Sequence, residues 1–254
     1  MATAADHELA HRLADESATL LLALRAEATG SPRERGKAGD QQSGAHLLSR
    51  LNAERPQDAV LMEDSADDQS RLNATRVWII DPLDGTREFG EEGRIDWAVH
   101  VALAEEGVVT AAAVALPARG LVLSTARAQH IGSSDDRAQD GVRIAVSRSR
   151  PAPFAEALAT VMGAQLVPLG SAGFKTAAVL LGEVDAYVHA GGQYEWDTAA
   201  PAGVARAAGA HVSRVDGAPL AYNQPNPWLP DILVCRAELS GPMLEHIAGL
   251  AAAG

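Results

Sequence analysis

The segment Asp81-Pro82-Leu83-Asp84-Gly85-Thr86 is the part of the chain best equipped for chemistry. It follows the apolar run Val77-Trp78-Ile79-Ile80, so it sits at the end of an expected strand, a common place for reacting groups in α/β proteins. Proline disfavours helical geometry in the residue before it, which keeps Asp81 extended. The turn that must follow can bring Asp84 back beside Asp81. Two carboxylates that close repel each other unless a cation lies between them. Gly85 allows tight backbone approach. Free N–H groups of a turn or helix opening at Gly85-Thr86 would suit an anion such as phosphate. Read alone, the segment serves equally well as an ordinary polar turn.

Two further acidic points matter. Glu63-Asp64 closes the short apolar run from Ala59 to Met62, and strand ends tend to share one sheet edge. Asp197 follows Trp196 at the start of an expected helix, where capping is the commoner role for an Asp. The chain of 254 residues carries a net charge of −12 and has no Lys/Arg-rich run, which speaks against a nucleic-acid partner. That acidity fits either a self-repelling soluble surface or carboxylates gathered around divalent cations, which could then hold an anionic substrate. No apolar run approaches the roughly 18 residues of a membrane span. A single cysteine, Cys235, lies in an apolar strand pattern, and no secretory leader is legible, so the cytoplasm is the expected compartment.

The elements that must position these residues fall into two halves. In residues 1–135, an α+β half, leucines from Leu9 to Leu24 mark a long helix broken by Gly30 and Pro32. Ser31 to Gly44 reads as a mobile loop, and a second helix is expected from about Gln41, capped by Asp40. Strands are expected at 59–62, 77–80, 98–104 and 108–116. The polar stretch from Arg127 to Gly141 reads as a boundary loop. Residues 136–254 alternate strand and helix, which points to an α/β layer.

In their order and spacing Asp40, Glu63-Asp64, Asp81 to Thr86 and Trp196-Asp197 resemble the inositol monophosphatase family of magnesium-dependent, lithium-sensitive phosphatases, over almost the whole chain. Asp84-Gly85-Thr86-Arg87-Glu88-Phe89, Ser147-Arg148-Ser149, Gly170-Ser171 with Lys175, and Glu195-Trp196-Asp197-Thr198-Ala199-Ala200 are most similar to its CysQ branch, the 3′-phosphoadenosine 5′-phosphate phosphatases. Asp64 stands where the family has a second Glu. Gly209-Ala210 replaces a Gly-Gly pair, and Arg150 stands where a His often follows Ser-Arg-Ser.

The resemblance implies a layered αβαβα sandwich of the sugar-phosphatase type, with its site between the halves. It implies two magnesium ions, with room for a third near Glu63. Glu63, Asp81 and the Leu83 carbonyl would hold one ion, and Asp81, Asp84 and Asp197 the other. The Thr86 hydroxyl paired with Asp40 would take a proton from the attacking water. Gly85 and Thr86 amides would grip the phosphate, and Arg148, Gly170, Ser171, Lys175 and Glu195 would meet the rest of a small phosphorylated nucleotide or sugar. Clearing such a nucleotide belongs to sulfate assimilation. Relatives often form homodimers. Inositol 1-phosphate and fructose 1,6-bisphosphate are the alternative substrates.

Two rival signals are present. His7-Glu8-Leu9-Ala10-His11 matches the His-Glu-x-x-His zinc motif on a helix, a pattern such a helix also meets by chance. Gly30 to Lys37 imitates a phosphate-binding loop, but its glycine spacing is too long and Ala38 stands where a Ser or Thr should be. The remaining histidines, His46, His100, His130, His189, His211 and His246, show no ligand spacing and read as core or surface residues. An inactive relative that only binds metal and a partner is opposed by the retention of Asp40, Glu63, Asp81, Asp84, Thr86 and Asp197.

Overall fold

The computed structural model describes residues 1–127, 131 and 141–253. The expected boundary loop, apart from Arg127, Ile131 and Gly141, lies outside the described residues, as do His130 and the division at 135/136. Helices α1 (Ala4–Glu27) and α2 (Pro32–Glu54) precede a sheet in the order β1 (Ala59–Met62), β2 (Arg76–Asp84), β3 (Ala98–Glu105), β4 (Val108–Leu116) and β5 (Leu121–Ser124). The short helix α3 (Thr86–Gly90) follows β2. A second sheet has the order β7 (Gln165–Leu169), β6 (Arg143–Ser147), β8 (Ala186–Tyr194), β10 (Trp228–Cys235) and β9 (His211–Ser213). Its helices are α4 (Ala155–Met162), α5 (Ala172–Leu180), α6 (Glu195–Ala207) and α7 (Ser240–Ala253).

Strand alternation sorts the core into layers. Trp78 and Ile80 of β2 pack with Leu9, Leu13 and Leu47 of the first two helices. Val77 and Ile79, one residue out of phase, face Ala177 of α5 and Ala202 of α6. The near face of the second sheet, with Tyr187 and Ile232, meets the same two helices. Its far face, with Ile144, Val188 and Cys235, packs on Leu158 and Met243. The result is the αβαβα sandwich. Because both faces of each sheet are covered, the central strands read as unbroken apolar runs.

One local expectation fails. The stretch expected to be a loop from Ser31 to Gly44 is helical, because α2 begins at Pro32. Ser31 Oγ accepts from the Glu34 amide at 3.3 Å, and Glu34 Oε2 accepts from the Ser31 amide at 2.8 Å. Proline at the first helical position completes a strong start signal. The glycines that suggested a loop serve contact instead. A Cβ at Gly36 would lie 2.6 Å from the Thr86 carbonyl oxygen, and one at Gly39 would lie 2.8 Å from the Phe89 ring. Helix α2 therefore touches α3 along a strip with no side chains. Asp40 is not a cap but a residue inside this helix.

Gly36→Ala should force α2 and α3 apart. Overpacking of this kind costs about 1–3 kcal/mol. The expected outcome is a lower urea midpoint and weaker divalent-cation binding by calorimetry, since Asp40 lies one turn further on.

Candidate active site

The end of β2 is built around an irregularity. Asp81 pairs with His100 of β3 and Asp84 with Ala98, so three steps on one strand oppose two on the other. Residues three apart in a regular strand face opposite sides. The bulge at Pro82-Leu83 restores the phase and turns both carboxylates to the face that meets α5 and α6. Ser43 Oγ of α2 donates to the Pro82 carbonyl at 2.7 Å, and Asp81 Oδ1 accepts from the Leu83 amide at 3.0 Å. Gly85 then takes a left-handed conformation, φ 88°, and starts α3.

Five acids meet here in two groups. Asp40, Glu63 and Asp81 each bring a carboxylate oxygen within 4.8 Å of the others, and so do Asp81, Asp84 and Asp197. Asp81 belongs to both. Asp40 Oδ1 is buried and has no hydrogen-bond partner. All the side-chain donors are hard oxygens, which suits a cation such as magnesium or calcium. The charge balance tells the same story. Burial, with Asp64 nearby, pushes Asp40 up to about 6. Burial and the charge of Asp197 push Glu63 up to about 8. Burial and Asp84 push Asp197 up to about 6, and burial with Glu63 holds Asp81 well above the usual carboxylate range. Without a cation Glu63 and Asp81 retain protons near neutrality, while Asp40 and Asp197 lose theirs only around pH 6. Acids arranged so that they cannot all ionise alone fit a divalent ion.

Asp84 is the exception. Burial alone would raise it, yet His100, Lys175 and the Ser171 hydroxyl outweigh burial and hold it below the usual range. Ser171 Oγ donates to Asp84 Oδ2 at 2.5 Å and the Gly173 amide at 2.8 Å. His100 Nε2 approaches the same oxygen to 3.2 Å, off the line of a regular hydrogen bond, while its Nδ1 lies 3.0 Å from the Trp196 carbonyl. Asp197 Oδ2 accepts from the Tyr194 amide at 2.6 Å, so this Asp both caps α6 and joins the cluster.

A cleft of about 190 Å³ opens beside Asp84 and Asp197. Gly85, Arg148, Gly170, Ser171 and Lys175 all line it. Arg148 crosses between the halves to ion-pair with Glu88 at 2.5 Å and Glu91 at 2.6 Å. Lys175 is buried, and its Nζ donates to the carbonyls of Ser171 at 2.7 Å and Gly170 at 3.2 Å. Two expected placements differ. The Thr86 hydroxyl donates to the Leu83 carbonyl at 3.1 Å rather than pairing with Asp40, because helix α3 turns it back along the chain. That bond occupies one lone pair of the Leu83 oxygen and leaves the other. Glu195 is not in the cleft lining: its carboxylate accepts from the amides of Asn223 at 2.6 Å and Gln224 at 2.7 Å and anchors that loop. Asp64 takes a left-handed turn, φ 54°, and joins neither acidic group.

The zinc motif has a structural explanation. His7 Nδ1 lies 2.7 Å from Thr125 Oγ1 and His11 Nδ1 lies 3.0 Å from Ser124 Oγ, so both rings pin α1 to the end of β5. Among the described residues neither belongs to a metal-competent group. Sequence reasoning missed His100 and His189. His100 bears on Asp84, and His189 lines the cleft. Neither carries a local motif; the alternation of β3 and β8 is the one signal that could have placed them on the inner face.

The fold and site together define a layered α/β scaffold with two acidic groups, joined through Asp81, that fit metal binding at the strand ends. The inositol monophosphatase family model matches residues 3–241, and the chain belongs to that family. Relatives named 3′-phosphoadenosine 5′-phosphate phosphatase from Mycobacterium bovis and Mycobacterium tuberculosis are 52% identical over 239 residues, covering 92% of this chain and 90% of theirs. The Mycobacterium leprae relative of the same name is 50% identical, covering 95% of this chain and 93% of its own. The crystal structure of CysQ from Bacteroides thetaiotaomicron superposes with a TM-score of 0.77 at 25% identity, covering 91% of this chain and 97% of that one.

Cation binding must displace protons from Glu63, Asp40 and Asp197, whose folded values lie above their unfolded ones. Without a cation, the stability these groups contribute is fully present below their unfolded values near 4 and is lost as pH rises through about 6 to about 8. The stabilisation by magnesium should therefore grow over the same window. It should reach about 2.7 kcal/mol at roughly 100 times Kd, read as a shift in melting temperature. Asp81→Asn should abolish that shift and raise the melting temperature of the cation-free protein at pH about 8, where it relieves the most repulsion.

Proposed function

We propose that this protein is a magnesium-dependent phosphatase that removes the 3′-phosphate from 3′-phosphoadenosine 5′-phosphate, releasing AMP and phosphate. The observation that carries the reading is the sharing of Asp81 between two acidic groups beside a cleft lined by Arg148, Arg150 and Lys175. A site built from acids repels an anion, and cations held on those acids reverse the sign. The names of relatives about half identical over more than 90% of the chain support the substrate.

Asp40, Glu63 and Asp81 would hold one magnesium ion, with the Leu83 carbonyl as a further donor, and Asp81, Asp84 and Asp197 a second. Bound there, the ions would supply Lewis acidity toward the phosphoryl group and lower the pKa of water. Asp40, with a free buried oxygen, is suited to take the proton of the attacking water. Thr86 Oγ1 gives its own proton to Leu83 and keeps its lone pairs to orient that water. As the water oxygen bonds to phosphorus, the ester P–O bond breaks and the ribose oxygen leaves with the bonding pair, taking a proton from solvent water. Arg148, Arg150 and Lys175 supply the positive charge that holds the remaining anionic groups. The role would lie in sulfate assimilation, in the cytoplasm, with lithium competing for a magnesium position. A homodimer is part of the same reading. No helix among the described residues is long and apolar enough to cross a membrane.

The test compares phosphate release from 3′-phosphoadenosine 5′-phosphate, inositol 1-phosphate and fructose 1,6-bisphosphate, with and without magnesium. The nucleotide should be preferred, and release should depend on magnesium. Asp84→Ala should lower kcat at least about 100-fold, since charge stabilisation worth several kcal/mol is lost. Preference for either sugar phosphate would keep the metal chemistry and overturn the substrate.

A further inference from the structure

His189 lies on β8, is 3% exposed, and lines the same cleft as Asp84 and Asp197. Its Nε2 is 3.2 Å from the Gly192 carbonyl oxygen. A carbonyl only accepts, so Nε2 carries the proton and Nδ1 presents a lone pair. Burial, with Lys175 and Arg150 nearby, holds the ring below its ordinary pKa and favours its neutral form, against the Gly192 hydrogen bond and Asp231, which act the other way. Nδ1 is buried and has no hydrogen-bond partner. A buried acceptor left unmade costs free energy and calls for a partner that arrives from outside the fold.

What arrives must donate. Phosphate oxygens at neutral pH chiefly accept hydrogen bonds, and the cationic groups of the cleft are already suited to them. The partner of Nδ1 therefore belongs to the part of the substrate that is not phosphate. On a nucleotide the donors are the ribose hydroxyls and the exocyclic amine of the base.

We propose that His189 Nδ1 accepts a hydrogen bond from the nucleoside portion of the substrate, either the ribose 2′-hydroxyl or the 6-amino group of adenine, making His189 a specificity-determining residue. The inference rests on the nucleotide reading above and deepens it. His189 is a member of neither acidic group.

The experiment is calorimetric titration of AMP, 2′-deoxy-AMP and IMP into wild-type protein, His189→Leu and His189→Asn, beside steady-state kinetics on 3′-phosphoadenosine 5′-phosphate. His189→Leu removes the acceptor and should weaken AMP about 3- to 10-fold, the range of one neutral hydrogen bond. The loss should fall on KM rather than kcat. His189→Asn keeps an acceptor near the Nδ1 position and should recover most of that affinity. On the wild-type protein, one of the two analogues should bind as weakly as AMP does to His189→Leu, and that analogue should lose nothing more in the Leu variant. Weakened 2′-deoxy-AMP identifies the hydroxyl; weakened IMP identifies the amine. The inference is overturned by unchanged AMP affinity in His189→Leu, or by analogue losses that simply add to the mutant's. Should the Leu variant fail to fold, wild-type protein that binds both analogues like AMP overturns it too. Wild-type enzyme that does not hydrolyse the nucleotide would sink the proposed function, while the AMP titrations still decide the His189 contact.

Discussion

Mutual repulsion among the carboxylates around Asp81 is the constraint on which the rest of the site depends. Asp81 is buried and shared by both acidic groups, so its charge is opposed on every side. The protein relieves only part of that repulsion. Asp84 receives Ser171, Gly173 and His100, and Asp197 receives the Tyr194 amide. Asp40 and Glu63 are left to burial and hold their protons to about 6 and about 8. Asp84 is thus preset in its charged form, while Asp40, Glu63 and Asp197 are poised to lose their protons to a cation. An acidic cluster with a fully satisfied hydrogen-bond network would have been more stable and less able to bind one.

The sandwich serves this arrangement by bringing helix starts to the strand ends. Helix α6 begins at Glu195 and α5 at Ala172, and their first turns supply Asp197, Ser171 and Gly173 to the cluster. Partial positive charge at a helix start favours nearby anions. The two sheets are also tied across the cleft. Arg148, just beyond β6, reaches Glu88 and Glu91, and the Gly170 amide donates to Asp96 at 2.6 Å. Lys175 closes the loop between β7 and α5 by donating to its carbonyls. The cleft wall and the acidic groups are therefore parts of one hydrogen-bonded frame.

Much of this was legible locally. The apolar run before Asp81, the proline and the glycine at 85 mark a strand that ends in a reactive turn, and the alternation of the second half marks its sheet and helices. The misread loop at Ser31 to Gly44 has a clear cause. Three glycines in a polar stretch suggest flexibility, but Gly36 and Gly39 are small because α3 presses on them. Glu195 and Thr86 were assigned by motif, yet a motif does not say which way a side chain turns. Glu195 anchors the loop at Asn223, and Thr86 folds back on Leu83.

By itself the sequence singled out the acids that come together, the layered architecture, and the strand end at which those acids gather. It could do so because strand endings, helix breaks and the Asp-Pro turn depend on neighbours a few residues away. Only the tertiary structure decided that Asp40 joins Glu63 and Asp81, that a bulge brings Asp81 and Asp84 to one face, that His100 lies against Asp84, and that His189 lines the neighbouring cleft. These are contacts between residues far apart in the chain. They depend on how two sheets and the helices between them pack, and no short window of sequence encodes that packing.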